Sequence, residues 1–298
     1  MITIKYDKEK LKKLGFGNVN DTKIATETPK VEEEEVSVVE EVETEERSTL
    51  NNANVIRNIS FDQSEILWNI MQLHNNGDPF ECDMTASELK FYGERRGSKY
   101  NIPEPKILFD VYPQQDKIKK IEPFKKLPLE DESISSIIVD LPFVISPKNC
   151  KSVRENKEGA NLIYKRFSSF YPMEELIETI YWWIKECNRV LKPNGICVWK
   201  MESSVSGGRQ VWSTYFSFLA AQKMGLYVKD EFILEAKARL VSSAKIKKQC
   251  HARKYTSTFY VFKKDEKLFK KNSIFKLLEM CEEQDKNGTL EGKVWPFK

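Results

Sequence analysis

The chain has 298 residues, of which 40% are hydrophobic and 31% charged, with a formal net charge of +3. That is apolar enough for one large core or two small ones, and no run of about 18 apolar residues is present to span a membrane. The first 50 residues carry 8 basic and 13 acidic side chains, which leaves 40 basic and 32 acidic in the remainder, so an acidic arm precedes a basic body. A basic body fits a polyanionic partner.

The N-terminus, Met1 to Lys8, lacks the apolar segment of a secretory leader. The six cysteines (Cys82, Cys150, Cys187, Cys197, Cys250, Cys281) are scattered without a C-x-x-C pair, and there are two histidines. Their spacing offers neither a disulfide framework nor a metal site, and a reducing cytoplasm is the expected compartment.

In chain order, residues 1–13 have the pattern of a short amphipathic helix, ended by Gly15-Phe-Gly17. Residues 1–54 as a whole read as a disordered acidic arm, with acidic runs over 32–35 and 40–46. Order is expected from about residue 55. Ser60 or Asp62 can cap a helix whose apolar face is Ile66, Leu67, Ile70, Met71 and Leu73, and Asn75 to Pro79 stops it. Phe80 to Asp83 reads as a short strand, followed by the polar triad Asp83, Thr85 and Ser87. Capping groups in a turn would look the same. Gly93 to Tyr100 is a basic loop between glycines, able to grip phosphate or simply exposed. Lys106 to Asp110 is a strand, and an acid at a strand end suits ribose hydroxyls or an amine.

Ile134 to Phe143 reads as a buried central strand ending in Asp140-Leu141-Pro142-Phe143. Residues 146–169 form a long basic stretch with Lys148, Lys151, Arg154, Lys157, Lys165 and Arg166, which suits a substrate loop or an insertion. Met173 to Val190 is a helix started by Pro172, in which the Trp182–Trp183 pair suits core better than base stacking. Leu191-Lys-Pro-Asn-Gly195 is a turn, and Ile196 to Trp199 a buried strand, together a βαβ unit. Lys200 to Arg209 reads as a strand-end loop with a Gly-Gly-Arg tip. A helix over 211–224 capped by Gly225, a strand over 227–234, a basic segment over 236–248, a last strand over 256–262 and a helix over 274–283 complete the chain.

Four segments in this order carry a resemblance: D-L-P-F after a strand, a helix leading through R-V-L-K-P-N-G into a strand, the Gly-Gly-Arg loop, and Q-C-H-A-R-K before the last strand. Over about residues 60–264 the set resembles the S-adenosylmethionine-dependent amino (N6-adenine or N4-cytosine) DNA methyltransferases of compact phage type. Those read D-P-T-Y-S-K-G-x-F-Y, then F-D-x-x-P, then L-P-L-x-D-x-S-x-x-S-I-x-x-D-P-P-F, then Q-x-H-A-R-K-x-H-S. The resemblance implies an α/β fold, a three-layer Rossmann-like methyltransferase sandwich with a mostly parallel central sheet. The methyltransferase domain would cover residues 55–265, and a C-terminal helix and tail 266–298.

The resemblance further implies S-adenosylmethionine as cofactor, DNA as partner and adenine N6 as target. The compartment would be the cytoplasm, that of the host for a phage enzyme. Asp140, Pro142 and Phe143 match the catalytic motif: the carboxylate and the Leu141 and Pro142 carbonyls accept hydrogen bonds from the amine, and Phe143 stacks on a flipped base. Asp83, Thr85, Ser87, Asp110 and Asp140 match cofactor-pocket positions. His251, Arg253 and Lys254 match H-A-R-K and suit either the methionine carboxylate or DNA phosphate. The sequence departs from the pattern at Leu141, Ala86, Glu88-Leu89 and Thr256. Those departures keep open a nucleic-acid-binding subunit of this fold without turnover. The order of catalytic strand first and basic strand last is similar to that of the mRNA adenosine methyltransferases, and it keeps an RNA adenine methyltransferase open as well.

Overall fold

The computed structural model describes residues 55–145, 169–206, 208–237 and 250–287. The acidic arm, most of the basic stretch after Phe143 and most of the basic segment over 236–248 lie outside them. The described elements are β1 (Ile59–Ser60), α1 (Gln63–His74), β2 (Cys82–Asp83), β3 (Ile107–Asp110), β4 (Lys119–Lys120), β5 (Ile134–Asp140), α2 (Met173–Val190), β6 (Leu191–Met201), β7 (Ser204–Ser206), β8 (Arg209–Val211), α3 (Ser213–Lys223), β9 (Tyr227–Glu235), β10 (Thr256–Lys263), α4 (Glu266–Asn272) and α5 (Ile274–Lys286).

Eight strands form one sheet in the order β1-β9-β10-β6-β5-β2-β3-β4. β10 runs antiparallel to both neighbours, and every other pairing is parallel. The central strands bury both faces, as covered parallel strands do. Ile137 and Val139 of β5, Cys197 and Trp199 of β6, and Tyr260 and Phe262 of β10 join α2 and α3 residues in one core. Ile138, Ile196, Val198, Phe259 and Val261 join Ile66, Leu67, Ile70 and Met71 of α1 in a second core on the opposite face. Helices on both faces of a mostly parallel sheet make the three-layer Rossmann-like sandwich that the resemblance implies.

Local chemistry explains the elements. Asp62 caps α1, its Oδ1 accepting the Ser64 amide at 2.9 Å. Helix α2 has the bounds that its apolar stripe predicts, with Leu176, Ile180, Trp183, Ile184 and Cys187 buried. At its end, Arg189 donates to Leu129 O at 2.9 Å and to Asp131 Oδ1 at 2.6 Å, and Glu186 accepts the Leu127 amide at 2.9 Å. This clamp fixes the L-P-L-E-D segment just before β5. Burial raises the Glu186 carboxyl, but the Arg189 guanidinium and the Leu127 amide outweigh it and hold the group below its ordinary value.

Three expectations change. The K-P-N-G turn is the bulged start of β6: Leu191 already pairs with Ile134, and the register shifts before Ser136 meets Ile196. Gly195 is required there, since a Cβ would meet Lys192 O at 2.9 Å and Ser135 O at 3.0 Å. The loop expected over 200–209 begins inside β6 and continues as a two-stranded hairpin, β7–β8. The helix expected from 211 begins at Ser213, because Val211 belongs to the hairpin. Helix α4, capped by Asp265, has no counterpart in the sequence reading.

Candidate functional site

From β2 the chain moves outward to β3 and β4, then returns beside β2 as β5 and continues to β6 on the other side. That reversal is a topological switch point, and ligands of such sheets bind at the carboxyl ends of the strands flanking it. Asp83 ends β2, Asp110 ends β3 and Asp140 ends β5. Three of the sequence candidates therefore share one edge of the sheet.

Asp83 is buried at 1% exposure. Its Oδ1 accepts the Thr85 amide at 2.7 Å and the Thr85 hydroxyl at 3.3 Å, and its Oδ2 accepts the Tyr92 hydroxyl at 2.6 Å. Thr85 Oγ1 in turn accepts the Asp140 amide at 2.7 Å. One side-chain bridge thus links the ends of β2 and β5 and sets the backbone direction entering Leu141-Pro142-Phe143. Burial pushes the Asp83 carboxyl up to about 7. The Tyr92 hydroxyl and the Thr85 groups pull it down, and the charge of Asp140 adds to the rise.

Asp110 accepts the Ser87 amide at 2.8 Å on Oδ2 and the Tyr112 amide at 2.6 Å on Oδ1. Burial raises this carboxyl against those two amides. The segment between is wound tightly, with Ser87 at φ 44 and Leu89 at φ 58. The resembling pattern has glycine where Leu89 stands, so leucine holds a left-handed conformation here, compensated by a side chain buried in the second core. Leu89 and Tyr92 also line a cavity of about 360 Å³, shared with Asn101, Ile102, Glu104 and Lys117.

Asp140 meets a group that sequence reasoning did not single out. Lys200 pairs with it in the parallel register of β5 and β6, and Lys200 Nζ donates to Asp140 Oδ2 at 2.9 Å. The ammonium also lies 5.1 Å from the Phe91 ring centroid and 5.7 Å from that of Phe259, within cation–π range. Tyr92 was likewise unassigned. Its signal was the F-Y that closes the first motif of the resembling pattern, and for Lys200 it was the position directly after the buried run 196–199.

His251, Arg253 and Lys254 stand apart from the Asp83–Asp110 set. They precede β10, two strands from β5 on the other flank of Asp140. His251 Nε2 donates to Gly208 O at 2.7 Å, and Gln210 Nε2 lies 3.4 Å from His251 Nδ1. Lys254 Nζ lies 5.1 Å from the Trp212 ring centroid. His251 is thus bonded to the β7–β8 hairpin, and Lys254 lies against the residue that follows it. Arg253 is exposed.

No curated protein matches this sequence. Among solved structures, the PvuII DNA methyltransferase (cytosine-N4-specific) aligns at 19% identity over 47% of this chain and 45% of its own, with a TM-score of 0.34. The chain thus spans less than half the length of that enzyme. A SAM-dependent methyltransferase from Aquifex aeolicus aligns at 16% identity over 68% of this chain and 99% of its own, with a TM-score of 0.30. The fold rests on the strand order rather than on these alignments. A family model of DNA methylases, the N6/N4 type, matches residues 134–298, more than half of the chain. That span holds D-L-P-F, Lys200, the hairpin and H-A-R-K, and the chain belongs to this DNA methylase family.

Proposed function

We propose that this chain transfers a methyl group from S-adenosylmethionine to an exocyclic amine of a DNA base, with adenine N6 as the target. The observation that carries the reading is the Asp83–Thr85–Asp140 hydrogen-bond chain at the switch point, followed at once by Leu141-Pro142-Phe143. Family membership supports the reaction class, and the ordered motif set supports adenine.

The residues present suit the cofactor. Asp110 uses one lone pair of each oxygen on a backbone amide, which leaves each oxygen a second lone pair for ribose hydroxyls. Ser87 belongs to the same turn, and the neighbouring cavity shares Leu89 and Tyr92 with that segment. Bound there, S-adenosylmethionine supplies a methyl already activated by its cationic sulfur, so little acid–base power is asked of the protein. The work left to the chain is orientation, which alone is worth a large share of a barrier.

Asp140 and the Leu141 and Pro142 carbonyls accept the hydrogens of the amine and aim its lone pair. Lys200 engages one Asp140 oxygen, Oδ2. The carboxylate then takes the proton that the nitrogen sheds. Phe143 stacks on the flipped base, an interaction worth about 1–3 kcal/mol. Asp83 and Thr85 act through Asp140: they hold the strand ends together rather than touch the base.

A second reading, a nucleic-acid-binding subunit without turnover, is favoured by Leu89 at φ 58 in a glycine position and by Ala86 where the pattern has an aromatic. One experiment separates the two. The full chain is incubated with labelled S-adenosylmethionine and unmethylated genomic DNA, and the digested nucleosides are resolved. Label in N6-methyladenine for wild type, and roughly 10²–10³-fold slower labelling for Asp140→Ala, is the expected result. Label in N4-methylcytosine would replace the adenine target, and no cofactor binding by calorimetry would leave the second reading standing.

A further inference from the structure

We propose that the β7–β8 hairpin grips duplex DNA beside the target base, with Arg209 as its phosphate contact. The inference rests on the methyl-transfer reading of the neighbouring strand end. The β7–β8 hairpin has no part in that chemistry, yet its first strand is bonded to the loop that follows Asp140. Ser204 Oγ donates to Phe143 O at 3.4 Å and Ser206 Oγ to Ile145 O at 3.0 Å. A base stacked on Phe143 would bring its flanking backbone past these strands.

The hairpin is held on its other side as well. The His251 Nε2 bond to Gly208 O, at 2.7 Å, ties its turn to the segment leading into β10, and Gly208 takes φ 76 to close that turn. Arg209 is exposed at the tip, and Arg253 is exposed on the segment that His251 anchors. Trp212 is 51% exposed and Tyr255 41%, with Lys254 against the Trp212 ring. Glu202, the acid at the root of the hairpin, is buried at 4%. Exposed cations interleaved with aromatics, beside a site that must receive an extruded base, match a polyanion whose bases stack. A guanidinium donates in a fork that suits phosphate oxygens.

The test is binding of the full-length protein to a labelled unmethylated duplex, followed by fluorescence anisotropy across a salt series. Arg209→Ala should weaken binding about tenfold and make the slope of log affinity against log salt shallower by about 0.9, the value for one lost phosphate contact. Arg209→Lys should keep most of both, and calorimetric binding of S-adenosylmethionine should be equal in all three proteins. Unchanged affinity and slope in Arg209→Ala, with wild type bound, overturns the hairpin assignment alone. A wild type that neither binds nor methylates the duplex overturns the underlying methyl-transfer reading and the hairpin assignment with it. Tighter binding to a matched single-stranded RNA, lost in Arg209→Ala, overturns the duplex partner.

Discussion

Two flanks meet at Asp140 and are built differently. On the β2–β3 side, parallel strands deliver Asp83 and Asp110 into a turn where backbone amides and a tyrosine hydroxyl satisfy the carboxylates. On the β6–β10 side, an antiparallel strand and a hairpin present Arg209, Arg253 and exposed aromatics to solvent. The first flank spends its polar groups on geometry, and changes there should act on stability and turnover together. The second leaves its charges outward, and changes there should act on partner binding and leave the fold nearly untouched.

The largest break of that contrast falls where the flanks join. Asp140→Ala should lower methyl transfer by roughly 10²–10³-fold, as loss of one preorganised polar group does elsewhere, while the protein remains folded and binds duplex. A turnover assay at saturating DNA checks it, and a change confined to KM would move Asp140 from the reacting centre to binding. Next comes the buried acid. The unfolded carboxyl ionises near 3.8 and the folded Asp83 near 7, so between those values the folded chain holds one more proton. Its contribution to stability is therefore full below about pH 4, falls as pH rises through the window, and levels off above about 7. The loss is at most about 4 kcal/mol. Asp83→Asn should flatten that slope, read as urea midpoints at pH 5 and pH 8. A wild-type midpoint that rises between those values while the variant stays level would contradict the sign.

The contrast also tracks what the sequence made legible. Helix α2 was readable to its ends because its stripe has a single period, with a proline before it. The position of Asp140 at the end of a central strand was readable because buried strands announce their own ends. The convergence of Thr85 on the Asp140 amide was not, since it depends on the register of β2 against β5, two strands separated by a long excursion through β3 and β4. Lys200 was hidden for the same reason: only the β5–β6 register brings it to Asp140. The hairpin read as a loop because two three-residue strands, Ser204–Ser206 and Arg209–Val211, are too short to show alternation.

Two smaller effects test the satisfied flank at single bonds. Thr85→Val leaves the Asp140 amide without its acceptor and should cost about 1–3 kcal/mol of unfolding free energy. Thr85→Ser keeps the hydroxyl and should recover most of it, together with turnover. If serine recovers stability but not turnover, the methyl of Thr85 rather than its hydroxyl positions Asp140. Phe143→Ala should weaken binding of a duplex carrying 2-aminopurine at the target, with loss of the flipped-base fluorescence signal, by the roughly 1–3 kcal/mol of one stacking contact. Its unfolding midpoint should move little, because Phe143 is only partly buried where it lies against the core.

The smallest effect belongs to the exposed flank. Trp212 is half exposed, with Lys254 Nζ 5.1 Å from its ring centroid and the Tyr215 ring centroid 5.4 Å away. A cation–π pair at an exposed position is worth about 0.5–1 kcal/mol, so Trp212→Ala should change the unfolding free energy by no more than that. The same substitution removes a stacking face next to the hairpin, so its effect on duplex binding should exceed its effect on stability. Chemical denaturation and anisotropy on the same preparation give both numbers. If the unfolding loss is the larger, Trp212 is a prop for α3, and the outward-facing flank is narrower than the hairpin and the H-A-R-K segment together.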